Sequence, residues 1–393
     1  MKVLIANIGS TSFKYRLFEM EGERTLAKGQ AERVGQPGSA FQDYDSAIRT
    51  CLEQITQSGG PLESLAGLDA VGFKAVHAGP LTGACLVDNR VLDAMEEFSF
   101  QAPAHNPPYL SAIRAFQRVT PDLPLVVLFE TAFFDSMDEA ATTYAVPRSW
   151  REQLGVRRYG FHGASHRAAS ERALALLRKP DLRHISCHLG GSSSVAAMRA
   201  GVAVDTSFGM SPQSGLPQNN RSGDLDPFAV LFAMKRLGLS VDETARVLAN
   251  DAGLAGISGG TGDIRDLTAA AARGDPRAQL ALDVFVRSVR HYIGAFLVEL
   301  GGIDILTFSG GIGENSAEVR AAVCAGLAAF GIALDPDRNR AIPGDGRIST
   351  PDSPAAVYVV PAEEERIVAR AVAAVIRSHN KGRAEPLART GDA

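Results

Sequence analysis

KVLIANIGSTSFKYRLF, residues 2–18, opens on an apolar run and turns through glycine and hydroxyl residues into a second apolar stretch. Lys2 to Ile5 is predicted as a buried strand, and the loosely alternating Phe13 to Phe18 as its hairpin partner. The same order of events recurs in HISCHLGGSSSVAAMRAG, residues 184–201. There His184 to His188 reads as a strand, and Gly191-Ser192-Ser193-Ser194 echoes Gly9-Ser10-Thr11-Ser12. A strand, a hydroxyl-rich turn and a second strand-like stretch, met twice, suggest a duplicated unit with two similar lobes.

The rest of the chain alternates strands with helices. Helical patterns are predicted over residues 43–57, 108–118, 167–177, 228–237, 241–250, 275–300 and 364–376, and strands over 70–77, 123–129, 303–308 and 357–360. The fully apolar LPLVVLF, residues 123–129, suits a central strand covered on both faces. Such alternation predicts an α/β protein. NKGRAEPLARTGDA, residues 380–393, is polar and expected to be disordered.

A chain of 393 residues that is 45% apolar has length for two or three domains and a sizeable core. Its net charge of -4 gives no electrostatic case for nucleic acid or anionic membrane. Cys51, Cys85, Cys187 and Cys324 are scattered without metal-site spacing, which fits free thiols in a reducing compartment. The N-terminus lacks a signal-peptide layout. No window approaches the roughly 18 apolar residues of a membrane span. A cytoplasmic protein is expected.

Gly-Ser-Thr-Ser after a strand is a turn dense in the backbone and hydroxyl donors that phosphate oxygens require, with Ser10 and Ser12 as candidates. Asn7 offers a neutral oxygen suited to magnesium or its waters. Lys14 is a mobile positive charge within reach of a phosphoryl group. An ordinary polar hairpin turn explains this piece equally well when it is taken alone. HLGGSSS repeats the chemistry, and FSGGIGENS sets Gly310, Gly311 and Gly313 after a strand, where backbone can approach an anionic ligand. Neither the Walker spacing nor GxGxxG is present. Three such loops in one α/β chain point to a nucleotide. His105 in AHNP, His162 in RRYGFHG and Arg221 in NRSGD stand beside glycine or proline breaks. Phosphoryl transfer needs positive charge around the group in flight, although each of these residues alone is explained by solvation. Glu130 ends the apolar strand, at the edge where α/β enzymes place their sites. Glu363-Glu364-Glu365 opens a helix, where N-terminal charge compensation accounts for at least two of the three.

Taken together, these stretches resemble the acetate kinase family of the acetokinase, sugar kinase and actin superfamily. ANIGSTSFK is similar to that family's N-x-G-S-[ST]-S-x-K opening. YGFHGASH, VDTSFGMSP, RSGDLDP, SGGTGDIRDL and FSGGIGENS are similar to further signatures, in the same order over nearly the whole chain. The resemblance implies an α/β fold of two actin-like (ribonuclease H-like) lobes with duplicated topology and a central cleft. Residues 1–145 plus 366–393 would form the N-terminal lobe and 146–365 the nucleotide-binding lobe. It implies reversible in-line transfer of the ATP γ-phosphoryl to a short-chain carboxylate, acetate first, giving an acyl phosphate and ADP. The metal implied is Mg2+, with Mn2+ as the alternative, and the assembly implied is a homodimer. Glu130, His162 and Arg221 would be catalytic. Lys74, Val76, Ala104, His105, Phe161 and Pro212 would lie at the substrate. Lys14, His188, Leu189, Gly190, Gly191, Ser192, Asp263, Ile264, Arg265, Gly311, Ile312, Gly313, Glu314 and Asn315 would hold ATP. Ser10 and Ser12 would meet phosphate, and Asn7 and Glu364 the metal.

Four positions depart from the family pattern. Lys74 stands where an Arg clamps the carboxylate and cannot make the bidentate fork. Glu130 replaces an Asp and is one methylene longer, a shift that matters where geometry is tight. Gly191 replaces an Asn that meets phosphate, with Ser192 a partial substitute. Ala104 replaces a Leu, which would open the pocket to propionate or butyrate. A weakly active nucleotide-binding sensor and a sugar kinase are the competing readings.

Overall fold

The computed structural model describes residues 1–9, 12–342 and 344–384, with side chains as far as residue 381. The chain divides into two compact units, Met1–Ala132 together with the chain from Glu364 onward, and Phe133–Glu363. Each is built on a six-stranded mixed sheet.

In the first unit, β1 (Lys2–Ile8), β2 (Ser12–Glu19) and β3 (Arg24–Glu32) form an antiparallel meander. β4 (Ala70–Ala75) pairs parallel with β1, β6 (Leu125–Phe129) parallel with β4, and β5 (Ala84–Leu86) antiparallel with β6. In the second unit, β7 (Arg183–His188), β8 (Ser194–Arg199) and β9 (Val202–Thr206) form the meander. β10 (Ile305–Ser309) and β12 (Ala356–Val359) extend it in parallel, and β11 (Gly346–Arg347) lies antiparallel on β12. The orders β3-β2-β1-β4-β6-β5 and β9-β8-β7-β10-β12-β11 match strand for strand and direction for direction. The duplication suggested by the paired hydroxyl turns is therefore present in the topology, and both turns close the first hairpin of their sheet.

Every residue of β6 and of β10 is buried, as expected for central strands covered on both faces. Helices Tyr44–Thr56 and Asn106–Val119 bring Ile48, Leu52, Ile113 and Phe116 onto Leu4, Phe73 and Val127. The helix Glu364–Ala384 reaches the sheet at Gly72, where an added Cβ would come within 2.5 Å of Val372 Cγ2. A glycine in β4 is what lets this helix close on the sheet. In the second unit the helix Pro276–Glu299 sets Phe285, Val289 and Ile293 against Ile185, Val195 and Leu306. Truncating Phe116 or Phe285, both fully buried, costs about 3–5 kcal/mol.

Several elements differ from the sequence reading. β3 is not marked by its pattern because Ala31 is its one buried residue, as befits an edge strand. FSGGIGENS is not a loop throughout: Gly310–Asn315 forms a short helix directly on the end of β10. The 241–250 helix is α-helical over Val241–Arg246 and continues as a wider π-type turn over Val247–Asp251. The C-terminal helix runs through Ala384, so residues 380–384 are helical and not disordered, while 385–393 lie outside the described residues. All four cysteines are free. Among the described residues, no helix is long and apolar enough to cross a membrane.

Candidate active site

The expected residues of the first unit collect at the carboxyl ends of its parallel strands. Asn7 near the end of β1 lies directly across from Lys14 on β2, which puts both on one face, with the Lys14 side chain exposed. The turn between them is fixed by Gly9 N–H donating to the Ser12 carbonyl at 2.8 Å and by Tyr44 Oη donating to the Gly9 carbonyl at 2.7 Å. Ser12 is described at the start of β2, whereas Ser10 lies outside the described residues. Lys74 near the end of β4 places Nζ 2.6 Å from Glu364 and 3.6 Å from Glu130, which directly follows β6. Glu130 is 3% exposed and Lys74 19%, so this is a largely dry cluster of one ammonium and two carboxylates. Burial alone would lower the Lys74 pKa, but the two carboxylates outweigh it and raise it, so Lys74 is held as a cation. Tyr109 stands in the same cluster. Its hydroxyl donates to Asn7 Oδ1 at 3.4 Å and accepts from Ile8 N–H at 3.3 Å, and burial pushes its pKa up to about 12. Val76, just past β4, is buried. His105 precedes the helix Asn106–Val119, and Ala104 beside it is exposed.

The second unit gathers imidazoles, hydroxyls and one guanidinium in place of an ammonium between two acids. His162 adopts a left-handed backbone with φ 59, a conformation that costs a non-glycine residue on the order of 1–3 kcal/mol. Its Nδ1 lies 2.9 Å from Ser194 Oγ, and its ring stands 4.4 Å from the His188 ring and 5.0 Å from that of Phe208. Phe161 packs edge-on against Phe208. His188 Nδ1 is 2.7 Å from Ser165 Oγ. Arg221 Nη1 donates to Gln218 Oε1 at 3.1 Å, Ser192 Oγ at 3.4 Å and the Pro212 carbonyl at 3.5 Å. Burial draws its pKa down to about 10. The Leu189 side chain is in the core, and its carbonyl accepts from Ile312 and Gly313 N–H, which ties the β7–β8 turn to the Gly310–Asn315 helix. Glu314 Oε1 accepts from Gly310 and Ala362 N–H, so this carboxylate braces backbone. Gly311 carbonyl accepts from Asn315 Nδ2.

His162, His188, Ser192, Arg221, Phe161 and Pro212 are thus brought together, with Gly190 and Gly191 in the same turn. Asp263 and Arg265 pair chiefly with each other at the start of the helix Ile264–Ala272; Arg265 bonding holds Asp263 down to about 2. The Arg265 side chain is 89% exposed and Ile264 is in the core.

The sequence reading missed several supports. Asn106 Nδ2 donates to the His77 and Met95 carbonyls, fixing the turn that carries His105. Arg320, 2% exposed, donates to the Gly313 and Glu314 carbonyls and to Asn339. Asn219 is the third. Its N–H donates to the Gly191 carbonyl, and a Cβ on Gly191 would sit 3.5 Å from Asn219 Nδ2. A Cβ at Gly262, just before Asp263, would run into the Asn219 carbonyl. Asn219 therefore joins the β7–β8 turn to the Asp263 segment. His166 and Ser194 stood in quoted motifs, but their burial is a property of the fold.

A mixed sheet present twice, with Lys74, Glu130 and His188 at its strand ends and Arg221 against the β7–β8 turn, is an arrangement suited to phosphoryl transfer. The model of the acetokinase family matches residues 2–370, and the chain belongs to that family. It is 40% identical over 389 residues to the acetate kinase of Geobacillus kaustophilus, covering 94% of this chain and 98% of the relative. It is 42% identical over 390 residues to that of Natranaerobius thermophilus, with the same coverage. The crystal structure of Porphyromonas gingivalis acetate kinase superposes with a TM-score of 0.86 at 35% identity over 95% of this chain and 99% of that one. A propionate kinase from Francisella tularensis gives 0.87 at 30% identity over 94% and 98%.

Proposed function

We propose that the protein transfers the γ-phosphoryl group of ATP to acetate, reversibly, giving acetyl phosphate and ADP. The observation that carries the reading is the gathering of Asn7, Lys74, Glu130 and Glu364 at the strand ends of one sheet and of His162, His188, Ser192 and Arg221 around the β7–β8 turn of the other, in a chain similar to acetate kinases over 94% of its length. Phosphoryl transfer requires in-line positioning and charge stabilisation more than covalent chemistry. Arg221 and His162 stabilise the charge of the group in flight, and Lys14 offsets charge on the nucleotide. Lys74, held as a cation by its two acids, attracts the carboxylate, and Glu130 fixes Lys74 in place. Val76, His105, Phe161 and Pro212 border the substrate. The turns at residues 188–192, 263–265 and 311–315 hold ATP. Asn219 supplies the amide that Gly191 lacks, which Ser192 alone does not replace.

Asn7 and Glu364 are oxygen donors of the kind Mg2+ takes, one neutral and one anionic; Asn7 Oδ1 accepts from Tyr109 and Glu364 Oε2 from Lys74, so each would hold the ion by exchanging that partner for it. Bound Mg2+ supplies charge neutralisation at the phosphates. The protein acts in the cytoplasm as a homodimer. Support for a dimer comes from Phe228, Leu231, Phe232 and Leu237, large apolar side chains left exposed in the second unit. Propionate is the second reading, favoured by exposed Ala104 where the family carries Leu.

The test uses purified protein with ATP, Mg2+ and hydroxylamine, offered acetate, propionate, butyrate or no acid. Acetohydroxamate formed in step with ADP is expected. ADP without any hydroxamate sinks the reading, and a higher kcat/KM for propionate replaces acetate with the longer acid.

A further inference from the structure

His162, Ser194, His166 and Ser186 form one line of alternating imidazole and hydroxyl groups inside the second unit. Ser194 Oγ lies 2.9 Å from His162 Nδ1 and 2.8 Å from His166 Nε2, and His166 Nδ1 lies 3.0 Å from Ser186 Oγ. Ser194, His166 and Ser186 are each 0% exposed. The ring of Phe134 packs edge-on against His166, and the titratable neighbours of His166 are His188 and His184. Burial, reinforced by those two histidines, holds His166 well below the ordinary imidazole range, so it stays neutral.

A hydroxyl between two ring nitrogens has one proton to give, so it donates to one nitrogen and accepts from the other. A neutral imidazole has one N–H and one lone pair. The protons along this line therefore run one way or the other. In the first direction Ser186 donates to His166 Nδ1, His166 Nε2–H donates to Ser194, and Ser194 donates to His162 Nδ1. A neutral His162 then carries its proton on Nε2. In the second direction His162 Nδ1–H donates to Ser194, Ser194 to His166 Nε2, and His166 Nδ1–H to Ser186. A protonated His162, with hydrogen on both nitrogens, fits only the second. The one arrangement unsuited to an anion, a neutral His162 with a bare Nε2, is disfavoured whenever a phosphoryl group faces it.

We propose that Ser194 and His166 are positioning residues that let His162 present an Nε2–H to the transferred phosphoryl group in both of its protonation states, by reversing the direction of this line. The proposal rests on the placement of His162 against that group. It explains why a neutral, fully buried histidine lies behind an exposed-side one: a charged His166 has no lone pair for Ser194, and an apolar residue there cannot accept the proton that a cationic His162 pushes along the line.

The direct test is imidazole 15N NMR of the wild-type enzyme with a nonhydrolysable ATP analogue bound, followed through the titration of His162. His166 is expected to change from its Nε2–H to its Nδ1–H form as His162 gains its proton, without becoming protonated itself. A His166 that keeps one tautomer throughout, or that protonates with His162, overturns the proposal. Kinetics give the second readout. Ser194→Ala is expected to lower kcat roughly tenfold to a hundredfold, the scale of lost positioning, with KM for ATP and acetate within about threefold of wild type. Ser194→Thr, which keeps the hydroxyl, restores most of kcat. Folded Ser194→Ala enzyme with unchanged kcat also overturns it. Should His162→Ala leave kcat unchanged, the placement of His162 is what fails, and the tautomer experiment still judges the line.

Discussion

The two sheets share order and direction strand for strand, yet their equivalent strand ends carry different chemistry. The end of β4 holds Lys74 between Glu364 and Glu130, full charges in near-dry surroundings. The end of β7 holds His188 beside Ser165 and the rings of His162 and His166, with Ser194 bonded to both of those histidines. The strand following each parallel crossover differs likewise. β4 runs on into buried Val76 and His77, while β10 runs into a glycine-opened helix whose backbone is braced by Glu314 and Arg320. One frame has therefore been furnished twice. Charged pairs suit the capture of a small carboxylate and a hard metal ion. Backbone N–H groups and imidazoles suit phosphate oxygens, which accept the hydrogen bonds they donate.

The largest expected effect lies in the second unit. Arg221→Ala removes the guanidinium that bonds Ser192, Gln218 and Pro212. Steady-state kinetics are expected to show kcat lowered roughly 10²- to 10³-fold with little change in KM for ATP. An effect on KM alone makes Arg221 a binding residue.

The next lies in the first unit, where the shorter cation and the longer acid are matched to one another. Lys74→Arg crowds Glu130 and Glu130→Asp draws away from Lys74, so each alone is expected to lower kcat/KM for acetate about tenfold. The double variant recovers most of it, with a coupling energy of about 1–3 kcal/mol in a double-mutant cycle. Strict additivity separates the two residues and removes the matched pair from the account.

A smaller effect returns to the second unit. Asn219→Ala is expected to raise KM for ATP by about threefold to tenfold, the scale of one ordinary lost hydrogen bond, with KM for acetate unchanged. Gly191→Asn in the wild-type background crowds Asn219 and does not lower KM for ATP; a lowered KM shows that Gly191 was the defect.

The smallest is a difference in acid stability. His184, bonded to Thr307 Oγ1 at 2.8 Å, is held down to about 3 by burial, and His166 is also strongly depressed. The unfolded chain binds protons at these histidines near their ordinary pKa of about 6.5, while the folded chain does not. Folding stability therefore rises with pH between about 3 and 6.5 and is level with respect to these groups above it, each contributing at most about 1.4 kcal/mol per pH unit. Thermal melts of His184→Asn against wild type from pH 7 to pH 5 are expected to show the shallower fall for the variant. Parallel curves show that His184 does not supply the slope.

The repeated strand–hydroxyl turn and the apolar runs of β6 and β10 were legible because burial on both faces leaves a composition that needs no context. β3, β5, β9 and β11 were not legible: β3 and β9 are edge strands with few buried residues, and β5 and β11 are only three and two residues long. The turn glycines were read as loop because glycine is a poor helix former; what makes Gly310–Asn315 helical is the Leu189 carbonyl accepting from Ile312 and Gly313, a contact between residues far apart in the chain. At the site, Asn7, Lys14, His162 and Arg221 announced themselves beside glycine breaks. Asn219, Arg320 and Tyr109 did not, because an Asn in a polar loop, an Arg on a helix and a Tyr in an amphipathic helix are common. Only the fold reveals that Arg320 is buried on carbonyls and that Tyr109 spans from Asn7 toward Lys74.

The division of labour is tested most directly by measuring both KM values in Lys74→Gln and Asn219→Ala side by side. Opposite patterns are expected: Lys74→Gln raises KM for acetate by about tenfold or more with KM for ATP within about threefold, and Asn219→Ala raises KM for ATP by about threefold to tenfold with KM for acetate unchanged. If both substitutions move the same constant, or Lys74→Gln leaves KM for acetate unchanged, the end of β4 and the β7–β8 turn do not divide carboxylate from nucleotide, and the roles given to Lys74 and Asn219 are wrong.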